Sequence, residues 1–257
     1  MAQFQTLTGR LVRSEPLSEF TKHLEFEVEN VPRFGFVPGQ WLSVKAQTPE
    51  GEEITRAYSM ASAPSENGHF AFCLNRVQDG FMSNYLCDLA ENAHISFQGP
   101  FGDFILRPPL RDTLFIATGT GIAPFRAMLQ ALFGSAPQDP IGRAGPALSE
   151  VEGTPVAPHR FWLLFGSRSE KDIYYREEFE RMAVAHPNFH FLPTLSRGGP
   201  EWKGLRGYVQ EHVREIVGDC RDMHAYICGL GRMVTANREL LKSLGWDRKS
   251  IRYEKYD

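Results

Sequence analysis

No run in the 257 residues approaches the ~18–20 consecutive apolar side chains that a membrane-spanning helix needs. The opening residues MAQFQTLTGRLVRSEPL contain no basic region followed by an apolar stretch, so no signal peptide is expected and a cytoplasmic location is. An excess of positive charge is also lacking. The formal net charge is −3, from 28 Lys and Arg against 31 Asp and Glu, which leaves no global field to attract nucleic acid or an anionic membrane. There are four cysteines, Cys73, Cys87, Cys220 and Cys228, with no CxxC pair. The C-x4-C-x2-C run of a plant-type iron–sulfur centre is therefore excluded. Cys73, Cys87 and Cys220 read as buried free thiols in a reducing compartment; Cys228 is taken up below. The eight histidines show neither HxH nor HExxH spacing, and no metal is expected.

What is present suggests two domains, since the chain is too long for one ordinary domain and a 42% hydrophobic fraction suffices for two cores. Up to residue 106, short strand-like runs (Thr6–Val12, His23–Val28, Gln40–Val44, Thr55–Met60, His69–Asn75, Ala93–Phe97) are punctuated by Pro-Gly and Asn-Gly turns. That spacing predicts an antiparallel β-barrel, interrupted by one helix near Phe81–Leu89. Arg107–Leu110, with two prolines, reads as a boundary. From 113 to 257, apolar strands at Thr113–Ala117, Phe161–Phe165, Phe189–Thr194 and Met223–Cys228 alternate with helices at Pro124–Phe133, Tyr175–Ala185, Val209–Val217 and Met233–Leu244. This alternation predicts an α/β domain with a doubly wound parallel sheet. Residues 134–159, rich in Pro, Gly, Ala and Ser, read as a mobile surface excursion.

Three segments carry chemistry. In Arg56-Ala57-Tyr58-Ser59, alternation puts Arg56 and Tyr58 on one face. A flat aromatic, a cation and a hydroxyl suit a flavin, although an ordinary surface strand can carry the same four residues. In Gly80-Phe81-Met82-Ser83-Asn84-Tyr85-Leu86, a glycine ahead of a helix start presents backbone N–H groups suited to a pyrophosphate; a plain capped helix is the alternative. Thr118-Gly119-Thr120-Gly121-Ile122-Ala123-Pro124, between an apolar strand and a helix, lacks the full GxGxxG pattern but has the context of a nucleotide-phosphate turn.

These three, with Gly99-Pro100-Phe101-Gly102, Cys228-Gly229-Leu230 and Glu254-Lys255-Tyr256, follow one another as in ferredoxin–NADP(H) reductases, and the chain resembles that family from about residue 5 to the end, the excursion apart. The resemblance implies an FAD-binding barrel and an NADP-binding α/β domain. It implies that Arg56, Ala57, Tyr58 and Ser59 hold FAD, with Cys73, Leu74 and Asn75 lining it and Phe81, Met82 and Ser83 cradling its pyrophosphate. Asn75 departs from the basic residue usual at that place. Thr118, Gly119, Thr120 and Gly121 would meet the nicotinamide nucleotide. Ser196, Arg197, Arg206 and Tyr208 resemble the set that selects NADP(H), with Ser167 and Arg168 adding contacts, and no acid directly follows Leu195. Cys228, Gly229 and Leu230 would face the nicotinamide. Ser59, Cys228, Glu254 and Tyr256 would surround the contact between the two rings, Tyr256 covering the flavin although one further residue, Asp257, follows it. The activity implied is electron transfer between NADPH and a separate ferredoxin or flavodoxin. Two other expectations stand beside it: the NAD(P)H-dependent reductase component of a multicomponent oxygenase, and a non-catalytic flavin-binding sensor.

Overall fold

The computed structural model describes residues 5–31, 33–134 and 159–256; all but the two ends of the 134–159 excursion lies outside them. The described residues fall into two compact units, 5–106 with 123–134, and 107–122 with 159–256.

The first unit holds six antiparallel strands, β1 (Leu7–Pro16), β2 (Thr21–Val28), β3 (Trp41–Gln47), β4 (Glu53–Ser59), β5 (His69–Asn75) and β6 (His94–Phe101), in the order β4-β3-β6-β1-β2-β5. The two edges meet. Met60, just past β4, bridges Phe72 of β5, and the Ala61 N–H donates to Ala71 O at 2.7 Å. The sheet thus closes into a barrel, as the strand spacing predicts. Alternation fills it with Leu24, Phe26, Phe70, Phe72 and Phe97, all fully buried. Phe70 lies 5.1–5.4 Å, centroid to centroid, from three of these rings, the spacing at which aromatic pairs attract beyond their buried area. Helix α1 (Phe81–Cys87) follows β5. Helix α2 (Ala123–Phe133) belongs to this unit as well, although its chain enters from the second. Every residue from Ala123 to Leu132 is buried. The Phe125 ring lies 5.9 Å from that of Phe104. Met128 closes on Gly39, whose φ of +102° and missing Cβ permit the approach; a Cβ there would stand 2.0 Å from Phe104 O.

The second unit is a parallel sheet of β7 (Thr113–Thr118), β8 (Phe161–Ser167), β9 (Phe189–Leu195), β10 (Leu205–Arg206), β11 (His224–Leu230) and β12 (Ile251–Tyr256), in the order β10-β9-β8-β7-β11-β12. Its helices are α3 (Arg176–Ala185), α4 (Val209–Val217) and α5 (Gly231–Ser243). The central strands β7, β8 and β11 are continuous apolar runs because protein covers both their faces. In α4, Val209, Val213 and Val217 recur every fourth residue and supply the buried stripe. The chain steps outward from β7 to β10, then returns to lay β11 on the other side of β7. That reversal is a topological switch point, where crevices open beyond the strands' carboxyl ends. Two strands are absent from the sequence reading. β10 is two residues long, and β12 is an edge strand whose exposed Tyr253 and Lys255 and half-buried Arg252 disguise it as a charged tail. Among the described residues no helix is long and apolar enough to cross a membrane.

Candidate functional site

In the first unit the closure of the barrel gathers the flavin candidates. β4 is an edge strand before it closes, and Arg56 and Ala57 are exposed on it, Tyr58 half-buried and Ser59 buried. Register with β3 pairs Leu42 with Tyr58 and Val44 with Arg56, so Tyr58 and Arg56 share a face, as alternation predicts. Tyr58 packs its ring 5.4 Å from Phe72, and burial pushes its hydroxyl up to about 12, the nearby Cys87 adding to the rise and Arg56 opposing it. The phenol is thus neutral and its ring is held rigidly. Among the described residues Arg56 donates only to its neighbour Thr55 O, which leaves most of its guanidinium for a phosphate.

The Met60–Phe72 bridge sets Tyr58 and Ser59 beside the last residues of β5. There Cys73 and Leu74 are buried, Leu74 within the core cluster, while Asn75 is exposed and accepts from Thr21 Oγ1 at 2.9 Å. The side chains of Cys73 and Leu74 face protein, which leaves their backbone for any ligand. At α1, Val77 N–H donates to Ser83 Oγ and Ser83 Oγ donates to Gly80 O, both at 3.0 Å. The Ser83 hydroxyl is therefore spent on closing the loop. What remains for an anion beside Phe81 and Met82 is the backbone N–H groups of the helix start. The exposed cation, the rigid half-buried ring and these N–H groups form a donor set that fits FAD.

In the second unit every nucleotide candidate lies at the carboxyl edge of the sheet. Thr118 ends β7 and leads into a short 3-10 turn at Gly119–Ile122 that carries Thr120 and Gly121. Cys228, Gly229 and Leu230 end β11 on the other side of the switch point, with Leu230 exposed. Two glycines set the distance across the crevice. A Cβ on Gly121 would stand 2.3 Å from Cys228 O; one on Gly229, where φ is +139°, would stand 2.5 Å from Thr118 Oγ1. The Thr118 hydroxyl is buried with no hydrogen-bond partner among the described residues. An orphaned hydroxyl costs free energy unless something engages it, and it sits where a nucleotide would. These residues fit a nicotinamide nucleotide.

Register pairs Cys228 with Glu254 and Leu230 with Tyr256, so Cys228, Glu254 and Tyr256 come together on β11 and β12. The Cys228 thiol is pushed well above its ordinary value by burial and then by the Glu254 carboxylate, with a hydrogen bond to Tyr256 partly offsetting them. The thiol is thus neutral, a group suited to packing against a ring rather than to nucleophilic attack. Ser59, the fourth member expected there, stands in the first unit. Of the three thiols expected buried, Cys73 and Cys87 are; Cys220 is exposed, because it follows α4 in a surface turn.

At the next strand ends, Ser196 N–H donates to Ser167 O and Arg197 N–H to Arg168 O, which brings these four residues side by side with both arginines exposed. Arg206 is differently employed. Its guanidinium donates to Gly198 O, Gly199 O and Trp202 O at 2.8–2.9 Å, which staples the loop that carries Arg197. Tyr208 is exposed, its N–H held by Glu211 Oε1 at 3.0 Å.

Sequence reasoning missed Arg126 and Gln130 of α2, which reach the segment just past Ser59. The signal was available: two long polar side chains one turn apart in an otherwise apolar helix.

Comparison with known proteins agrees with this layout. Residues 8–105 match the oxidoreductase FAD-binding domain family and residues 115–239 the oxidoreductase NAD-binding domain family. Ferredoxin–NADP reductase B of Sorangium cellulosum (strain So ce56) is 42% identical over the whole of both chains. The toluate 1,2-dioxygenase electron transfer component of Pseudomonas putida is 29% identical over 93% of this chain and 64% of its own length. Among solved structures, a ferredoxin NADP+ reductase from Neisseria gonorrhoeae with bound FAD and NADP superposes with a TM-score of 0.75 over 98% of this chain and 99% of its own at 18% identity, a likeness of fold. A flavin-type barrel, a nucleotide-type parallel sheet and a full-length relative at this identity lead to one conclusion: the chain belongs to the ferredoxin–NADP reductase family of FAD-dependent oxidoreductases.

Proposed function

We propose that the protein exchanges electrons between NADPH and a separate one-electron carrier protein, a ferredoxin or flavodoxin, in the cytoplasm. When bound, FAD supplies the conversion between a nicotinamide hydride, which is a pair of electrons, and electrons passed singly. Arg56 neutralises the FAD phosphates, Tyr58 packs against the flavin ring, and Ser59 offers a hydroxyl to it. The backbone at Phe81–Ser83 receives the pyrophosphate. The turn Thr118–Gly121 and the Gly229 backbone receive the nicotinamide nucleotide. Cys228 and Glu254 position the nicotinamide without taking a proton from it, because hydride transfer requires orientation at near-attack distance and no acid–base step. Tyr256, paired with Leu230 in the register of β11 and β12, offers an aromatic ring at the same strand edge. Arg168, Ser196 and Arg197 hold an adenosine 2′-phosphate, Tyr208 stacks on the adenine, and the preference for NADPH over NADH follows. The four scattered cysteines support a carrier that is a separate protein, since they lack iron–sulfur spacing.

The observation that carries this reading is the switch point itself, where an orphaned Thr118 hydroxyl, two close-approach glycines and a neutral buried thiol share one strand edge. The test is direct. The purified protein should be yellow and should bleach on anaerobic addition of NADPH, then reduce a ferredoxin or flavodoxin. A colourless protein, or a yellow one that neither NADPH nor NADH bleaches, overturns it. The likeness to the dioxygenase component favours a second reading, the reductase of a multicomponent oxygenase. An oxygenase ferredoxin reduced preferentially with NADH would establish that reading instead.

A further inference from the structure

Just past Ser59 the chain is held from two sides. From β5, Ala61 N–H donates to Ala71 O at 2.7 Å, and Ala71 N–H donates to Ser62 Oγ at 3.0 Å. From α2, the Arg126 guanidinium donates to Ala61 O at 2.7 Å, and Gln130 Oε1 accepts from Ala63 N–H at 3.0 Å. Arg126 and Gln130 are 7% and 6% exposed. Burying a guanidinium is costly, and a buried one persists where its bonds hold something that the fold would not otherwise hold.

A strand leaving a barrel has no further ladder partner on its open side. Ala61 O and Ala63 N–H are the groups that such an exit would orphan, and α2 supplies a donor for one and an acceptor for the other. The spacing is specific to a helix. Residues 126 and 130 are one turn apart on one face, and they reach backbone groups two residues apart in extended chain.

We infer that Arg126 and Gln130 are positioning residues: they latch the 61–63 segment so that Ser59, two residues upstream of Ala61, keeps a fixed orientation toward the flavin. Neither residue touches FAD in this scheme; both act through the backbone that ends β4. The inference rests on the proposed function, which assigns Ser59 to the flavin, and goes beyond it by naming what orients that residue.

The test uses the full-length FAD-loaded protein with Arg126→Met, Arg126→Lys and Gln130→Leu. Gln130→Leu removes the acceptor of Ala63 N–H at nearly constant volume and serves if Arg126→Met does not fold. Three readouts are taken: the FAD dissociation constant by flavin fluorescence, the visible circular dichroism of the bound flavin, and kcat against KM for NADPH. Expected for Arg126→Met are about tenfold weaker FAD binding, an altered flavin dichroism and a fall in kcat with KM unchanged. Arg126→Lys should restore part of each, and Gln130→Leu should show a smaller version of the same pattern. Wild-type FAD affinity, dichroism and kcat in Arg126→Met and Gln130→Leu would overturn the latch. So would a lowered melting temperature with those three readouts unmoved, because that pattern means packing alone. Failure of the wild-type protein to bleach with NADPH would instead remove the proposed function, so the two failures are separable.

Discussion

The two units solve the same problem, holding a nucleotide cofactor, by opposite means. The parallel sheet obtains its crevice from topology: where β11 is laid against β7 on the side away from β8, the strand ends diverge, and backbone with two glycines lines the gap. The closed barrel has no such reversal. Its candidates ride on the strand that closes it and on a helix start, and in the proposed function they act through the side chains of Arg56, Tyr58 and Ser59 and the N–H groups at α1. The second unit is therefore built to be sensitive to added atoms, and the first to lost ones.

The sharpest way to break that contrast is to add one methyl group to each unit. Gly121→Ala places a Cβ 2.3 Å from Cys228 O and 2.7 Å from Gly229 N, backbone that cannot move without disturbing β11. We expect NADP+ affinity to fall by about a hundredfold, equivalent to ~2–3 kcal/mol of overpacking, while the protein stays yellow. Gly80→Ala meets the Ser83 Oγ at 2.8 Å and the Val77 Cβ at 3.0 Å, side-chain atoms rather than backbone, so relief costs the hydrogen bonds that close the loop and leaves the strands in place. Its effect should be smaller and should fall on FAD. Calorimetric titration with NADP+ and the flavin content after dialysis measure the two, and equal losses of both cofactors in either variant would erase the distinction.

A smaller effect separates two arginines within the second unit. Arg197 is exposed beside Arg168, whereas Arg206 is tied to three carbonyls of the loop. Arg197→Ala should weaken NADPH about tenfold and leave NADH unchanged, the loss expected for one charge-assisted contact to a phosphate. Arg206→Ala should weaken both nucleotides, because it loosens the loop rather than removing one phosphate contact. Steady-state KM values for the two nucleotides decide this, and equal effects of Arg197→Ala on both would remove the case for 2′-phosphate recognition.

The same contrast governs how much the sequence revealed. Central strands such as Thr113–Thr118 and His224–Leu230 were legible because burial on both faces writes an unbroken apolar run. β12 was not, because an edge strand buries little, and β10 is too short to leave a pattern. The switch-point residues were legible as glycines beside strand ends, since backbone crowding selects glycine whatever the partner. The two functions of Ser83 and Arg206 were not: a hydroxyl closing its own loop and a guanidinium stapling one look, in sequence, like ligand contacts. Arg126 and Gln130 were overlooked because their partners are backbone atoms more than sixty residues away, and backbone groups leave no residue signature.

The smallest expected effect lies on the outer face of the barrel, where two histidines of one strand pair respond to pH with opposite sign. His23 of β2, across from Cys73, is held well below its ordinary value by burial first, with Arg126 and then Arg13 adding to it. The unfolded chain takes up a proton there as pH falls through about 6.5 and the folded chain does not, so stability is complete above that pH and declines below it. His69 of β5 is raised instead, chiefly by its hydrogen bond to Glu25 at 2.9 Å. Its contribution is complete below about 6.5 and is lost as pH rises through the raised value. The pair is only partly buried, so the charge contribution should be about 0.5 kcal/mol, or roughly 1–2 °C in melting temperature. Melting curves of the wild type and Glu25→Gln between pH 5 and 8 read it directly. The wild type should hold its advantage at pH 5.5 and lose most of it by pH 8. A constant gap across the range would mean that Glu25 serves by packing and neutral hydrogen bonding, and that His23 alone sets the barrel's response to acid.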